Sequence, residues 1–107
     1  VAEVHDCFTI AEMMAIENLG FAEAGGGPEL VRAKETYKEG SIPVNIDGGL
    51  LSKGHPIGAT GGSQVRTIVR QLRDEGDNIQ VKDPMFGLVH NIGGVGLYGS
   101  VTIFGRE

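Results

Sequence analysis

The chain has 107 residues, too few for more than one domain and enough to bury one modest core. Fourteen acidic against nine basic side chains leave a formal charge of −5 with no basic run, which argues against nucleic acid and anionic membranes as partners. The single cysteine excludes an internal disulfide, and no apolar stretch approaches the roughly 20 residues of a membrane helix.

Val1–Val4 reads as the end of a strand, and it has no basic leader, so no secretory signal is expected and a cytoplasmic location is the default. Thr9 followed by Glu12 has the spacing of a capping box, which predicts a helix from Ile10 to Leu19 stopped by Gly20. Its apolar residues run almost all round, so the helix is expected to be buried on more than one side. Pro28 opens a second short helix, Glu29 to Tyr37. Val44–Ile46 is a short strand, Asp47-Gly48-Gly49 turns away from it, and Leu50–His55 reads as a loop. Pro56 suits a first helical position, which puts His55 near the N-cap of a long helix ending at Gly76. That helix presents Ile57, Val65, Ile68, Val69 and Leu72 on one face, with Gly61. Met85–Val89 and Leu97–Phe104 read as strands joined by the glycine-rich segment His90–Gly96. The order β-α-α-β-α-β-β predicts an α/β unit, a mixed β-sheet layered with helices.

Glycine is the unusual residue, 18 of 107, where the ordinary share is about 7%. With no three-residue repeat and 40% apolar residues in periodic blocks, these glycines mean tight turns and close backbone approaches. They concentrate around two of the segments that carry chemistry. His5-Asp6-Cys7 follows a strand and precedes a helix, Gly54-His55-Pro56 precedes a helix, and His90-Asn91 follows a strand. In open α/β sheets, sites form beyond the carboxyl ends of strands, where helix N-termini offer free N–H groups that favour a thiolate or an oxyanion. A lone cysteine is more often a small buried hydrophobe, and a lone histidine a cap or surface residue. All three histidines and the only cysteine at such positions are what mark a site. The same four side chains have zinc-ligand chemistry but none of its usual spacings, so a metal centre is not expected. Gly94-Val95-Gly96-Leu97-Tyr98-Gly99 matches G-x-G-x-x-G, yet a strand follows where a dinucleotide turn needs a helix.

The run Gly48-Gly49-Leu50-Leu51-Ser52-Lys53-Gly54-His55-Pro56-Ile57-Gly58-Ala59-Thr60-Gly61 resembles the Gly-His-Pro block of thiolases. His5-Asp6-Cys7-Phe8 and His90-Asn91-Ile92-Gly93 resemble the forms carried by sterol-carrier-protein-type and archaeal thiolases. The resemblance covers essentially the whole chain. It implies an α/β thiolase-like C-terminal half, incomplete here: residues 1–107 would be a partial C-terminal domain, with an upstream strand and helix and the N-terminal half lying outside. It implies Claisen condensation or thiolytic cleavage of acyl-CoA thioesters, with coenzyme A thioester as substrate and no permanently bound cofactor.

By this resemblance, His55 polarises the thioester carbonyl and helps activate the nucleophile, and His5 helps organise the oxyanion site. Cys7 moves the Cα proton, Gly93 offers a backbone N–H to a second oxyanion hole, and His90 or Asn91 replaces a cysteine of ordinary thiolases. The family's acyl-accepting cysteine belongs to the N-terminal half. The chain alone is therefore expected to be inactive and to need that half from the same or a separate polypeptide, and its nearly all-apolar Ile10–Leu19 helix, left uncovered, is expected to drive homo-oligomer formation. A non-catalytic assembly or acyl-CoA-binding module is the alternative.

Overall fold

A computed structural model describes all 107 residues. Three strands make one mixed sheet in the order β1 (Ala2–Glu3), β2 (Phe86–Gly93), β3 (Tyr98–Gly105). β1 runs parallel to β2 with Ala2 opposite Leu88, and β2 runs antiparallel to β3 from Phe86 opposite Gly105 to Gly93 opposite Tyr98. Between β1 and β2 lie four helices: α1 (Thr9–Asn18), α2 (Gly27–Arg32), α3 (Gly49–Lys53) and α4 (Thr60–Leu72). The expected mixed, helix-layered α/β sheet is what forms.

Successive strand residues point to opposite faces, and the two faces carry two small cores. Ala2, Val4 and Val44 pack with Ala15 of α1, flanked by Leu19, Phe21, Ile42 and Leu88. On the other face Val89 packs with Ile68 and Leu72 of α4, flanked by Val1, Val65 and Phe104. α1 and α4 therefore sandwich the sheet.

Several boundaries differ from the sequence reading, each for a local reason. α1 begins at Thr9 after an extended Phe8 and has no side-chain cap, so the Thr9–Glu12 capping box does not form. Nor is α1 buried on more than one side: Ala15 and Ile16 are buried, whereas Ile10 and Met14 are 64% and 56% exposed. α2 stops at Arg32 rather than Tyr37, because Lys34 turns left-handed (φ 62) and the Glu35 N–H bonds back to the Leu30 carbonyl at 3.1 Å. The strand expected at Val44–Ile46 shrinks to one parallel bridge, Ala2 to Val44, since Asn45 leaves the extended region (φ 50). Its side chain replaces the lost ladder bond by accepting from the Val4 N–H at 2.8 Å.

The expected loop Leu50–His55 begins instead inside α3, which runs from Gly49 to Lys53. α4 starts at Thr60, because the Pro56 carbonyl first closes a turn with the N–H groups of Ala59 (2.8 Å) and Thr60 (3.0 Å). His55 is thus not an N-cap, and Ile57 is 87% exposed rather than part of the buried face. β2 continues four residues past Val89, so His90 and Asn91 lie in a paired strand and the connection narrows to a 3₁₀ turn at Gly94–Gly96. No helix is long and apolar enough to cross a membrane.

Gly87 of β2 faces α4 so closely that a Cβ there would collide with Ile68 Cγ2. Gly87→Ala is expected to destabilise the chain by about 1–3 kcal/mol through overpacking, measured as a lower urea midpoint.

Candidate functional site

Residues four to six distribute their side chains three ways. Val4 enters the α1-side core, His5 turns toward Asn91 of β2, and Asp6 reaches α3. The Asp6 carboxylate, 2% exposed, accepts from the Leu50 N–H at 2.7 Å, while Asp47 accepts from the Gly49 N–H at 3.0 Å. These two carboxylates satisfy donors that every helix start leaves orphaned, and one comes from 44 residues away. Gly49 is required here: its φ is 61 and a Cβ would run into the Asp6 carboxyl group.

α3 delivers the chain into Gly54-His55-Pro56, and the His55 ring meets the His5 ring edge-on, with centroids 4.9 Å apart and planes at 89°. The Thr60 hydroxyl holds His55 from behind, 2.6 Å from Nδ1. His5 Nδ1 lies 3.1 Å from Asn91 Oδ1, and the His5 backbone N–H donates to His90 Nδ1 at 3.5 Å. The extension of β2 is what brings His90 and Asn91 alongside His5. Cys7 is partly exposed just ahead of α1, and Gly93 is exposed at the end of β2. His5, His55, His90 and Asn91 are thus linked by direct contacts. Cys7 is tied to them through the chain, two residues from His5, and Gly93 through β2.

Two participants escaped the sequence reading. Gln64 of α4, fully buried, accepts from Asn91 Nδ2 and donates Nε2–H to the His90 carbonyl at 3.3 Å. Glu3, also fully buried, meets Lys53 Nζ at 3.4 Å, and Lys53 is itself paired with Asp47. Asp47 further accepts from the Thr67 hydroxyl at 2.7 Å. Gln64 had a detectable signal, a polar residue on the face of α4 shared with Ile68. Glu3, between Ala2 and Val4, had only its position inside an apolar strand.

The electrostatics follow from burial. Glu3 is pushed up to about 8, chiefly by burial and then by the Asp47 charge, with Lys53 offsetting only part. Burial would raise Asp47 too, but hydrogen bonds from Lys53, Thr67 and Gly49 outweigh it and hold the carboxyl below its usual range. Lys53 and Asp47 are therefore the ion pair, and Glu3 is a neutral acid beside it at pH 7. His90 is lowered by burial and then by neighbouring His5, which favours its neutral form. Glu12 is raised by burial and by the charge of Asp6. A cleft of about 520 Å³ opens beside Asp6 and Glu12, lined also by Tyr37, Asn45 and Leu51, but no histidine borders it. No three His, Cys, Asp or Glu side chains converge as metal ligands.

Comparison with known proteins adds a consistent set of relatives. Residues 1–106 match the family described as thiolase C-terminal domain-like. The chain is 47% identical over 106 residues to an acetyl-CoA acetyltransferase of Methanothermobacter thermautotrophicus, covering 99% of this chain and 28% of that protein. It is 42% identical over 93 residues to sterol carrier protein 2 of Homo sapiens, covering 87% of this chain and 17% of the relative. It is 39% identical over 95 residues to benzoylsuccinyl-CoA thiolase subunit BbsB of Thauera aromatica, covering 88% and 25%. The chain therefore spans about a quarter or less of each of these relatives.

The buried acid fixes a pH dependence. Folded Glu3 keeps its proton up to about 8, whereas the unfolded carboxyl loses it near 4.5. The folded state binds more protons between those values, so stability declines as pH rises through that window. The contribution lost by pH 7 is on the order of 3 kcal/mol. Glu3→Gln is expected to match the parent chain near pH 4.5 and to become progressively more stable than it toward pH 8, in urea unfolding at each pH.

Proposed function

The chain belongs to the thiolase C-terminal domain-like family, and from that premise we propose that it supplies one part of the acyl-transfer site of a thiolase-type acyl-CoA C-acyltransferase. The reaction would be Claisen condensation of two acyl-CoA thioesters or its reverse, thiolytic cleavage of a 3-ketoacyl-CoA. The observation that carries this reading is the meeting of three distant segments: His5 against His55 at 4.9 Å, with Asn91 on His5 Nδ1 at 3.1 Å.

A Cα–H beside a thioester is only weakly acidic, so the enolate formed on its removal needs donors already aimed at the carbonyl oxygen. In this proposal His55, braced by Thr60, polarises that oxygen, and His5 organises the groups around it. Cys7 takes and returns the Cα proton, a transfer of the kind that contributes about 10²–10⁴-fold to rate. The backbone N–H at Gly93 serves the second oxyanion, and His90 and Asn91 occupy the strand beside it. Coenzyme A thioester is the substrate, and no permanently bound cofactor has a role.

The resemblance assigns the acyl-accepting cysteine to a thiolase N-terminal half, and Cys7 is the only cysteine in these 107 residues. Acetyl transfer from acetyl-CoA is expected only when such a half is supplied alongside the chain. In that mixture Cys7→Ala is expected to reduce turnover by about 10²–10⁴-fold. Stable acetylation and turnover by the chain alone, or full activity of the Cys7→Ala mixture, would refute these assignments.

The apolar surface supports association as well. Phe8, Ile10, Phe86 and Ile103 are each more than 60% exposed, and large apolar side chains left open to water favour association. The isolated chain is expected to self-associate with rising concentration in light scattering. A single monomeric species across that range would count against this.

A further inference from the structure

Gln64, Asn91 and His5 form a hydrogen-bond chain with only one workable direction. It begins at the His90 carbonyl oxygen, which has lone pairs and no proton, so the Gln64 atom 3.3 Å away is the Nε2 donor. Gln64 consequently turns Oε1 toward Asn91, and the Asn91 atom facing it is the Nδ2 donor. That leaves Asn91 Oδ1 at 3.1 Å from His5 Nδ1. An amide oxygen accepts only, so the proton of neutral His5 sits on Nδ1 and the lone pair on Nε2. Turning the Gln64 amide over would set oxygen against oxygen at one end and NH₂ against NH₂ at the other. Gln64 is fully buried and His5 only 6% exposed, so water has little access to relieve either clash.

We infer that Gln64 is a positioning residue that locks His5 in the Nδ1–H tautomer and thereby presents its Nε2 as a hydrogen-bond and proton acceptor. His90, in contact with the same strand end, takes the opposite form. Its Nδ1 accepts from the His5 backbone N–H at 3.5 Å, so its own proton sits on Nε2. Two neighbouring imidazoles are thus held in opposite tautomers by a backbone carbonyl and a backbone N–H. The chemical use of His5 Nε2 rests on the acyl-transfer reading above; the tautomer does not.

The test is long-range ¹H–¹⁵N spectroscopy of the imidazoles in the intact 107-residue chain, on the alkaline side of the histidine titrations, with His5 assigned by a His5→Gln chain. The expected spectrum has His5 Nδ1 protonated and Nε2 in the downfield, lone-pair position. In Gln64→Leu nothing orients Asn91, and the two His5 nitrogen signals should move toward each other or exchange places. A parent chain whose His5 carries its proton on Nε2 overturns the inference, as does a folded Gln64→Leu chain with the His5 signals unmoved. Because no substrate is present, a failure of acyl transfer with the tautomer intact would tell against the functional reading alone.

Discussion

The architecture depends on how α4 satisfies its own buried side. Gln64, Thr67 and Gln71 fall on one helical stripe and are between 0% and 7% exposed, a place where sequence patterns usually put leucine and valine. A buried polar group left without a partner costs about 1–3 kcal/mol, so the helix docks favourably only when three remote segments are in place. Gln71 accepts from the Val81 N–H at 2.8 Å and donates to the Ile79 carbonyl at 3.0 Å. Thr67 reaches Asp47, and Gln64 reaches Asn91 and the His90 carbonyl. Ile68 and Leu72 supply apolar area between them, but area alone would tolerate sliding. The hydrogen bonds set the register.

The same stripe explains why charges lie near the histidines. Thr67 brings Asp47 inward, Asp47 brings Lys53, and Lys53 meets Glu3 on β1. Charged groups are seldom fully buried unless they are paired, and here one of the three gives up its charge instead. β1, α3 and α4 are joined by this group, whose Glu3 and Lys53 stand two residues before His5 and His55 in the chain. The placement of the rings is therefore a consequence of burial chemistry elsewhere, with no need for strain at the site.

The fold class was legible in the sequence, and so was the set of residues that the structure gathers around His5. The residue types, their spacing and the glycines beside them singled out His5, Cys7, His55, His90 and Asn91, and the alternation of elements gave a mixed, helix-layered sheet. What could not be read were features fixed by distant partners. α3 looks like a loop because its first N–H groups are satisfied by Asp47 and by Asp6, far away in the chain. The strand at Val44 ended early because of one left-handed asparagine. Apolar periodicity chose Val65 and Val69 as part of the buried face of α4, whereas the deepest residues beside Ile68 are glutamines. Periodicity counts hydrophobicity, and it is blind to a polar group that has been promised a partner.

The pairing of Ala2 with Leu88 has a consequence for how the molecule comes into being. A ribosome releases the β1 segment long before its partner strand exists, and α1 to α4 must wait without the sheet they flank. Contacts of such high sequence separation are slow to close and leave apolar surface open meanwhile. Newly made chains are thus most vulnerable to misassociation before β2 has emerged, when the helices are present but have nothing to cover. His5 and Asn91 can meet only once β2 has been made, so the rings cannot come together before the sheet does.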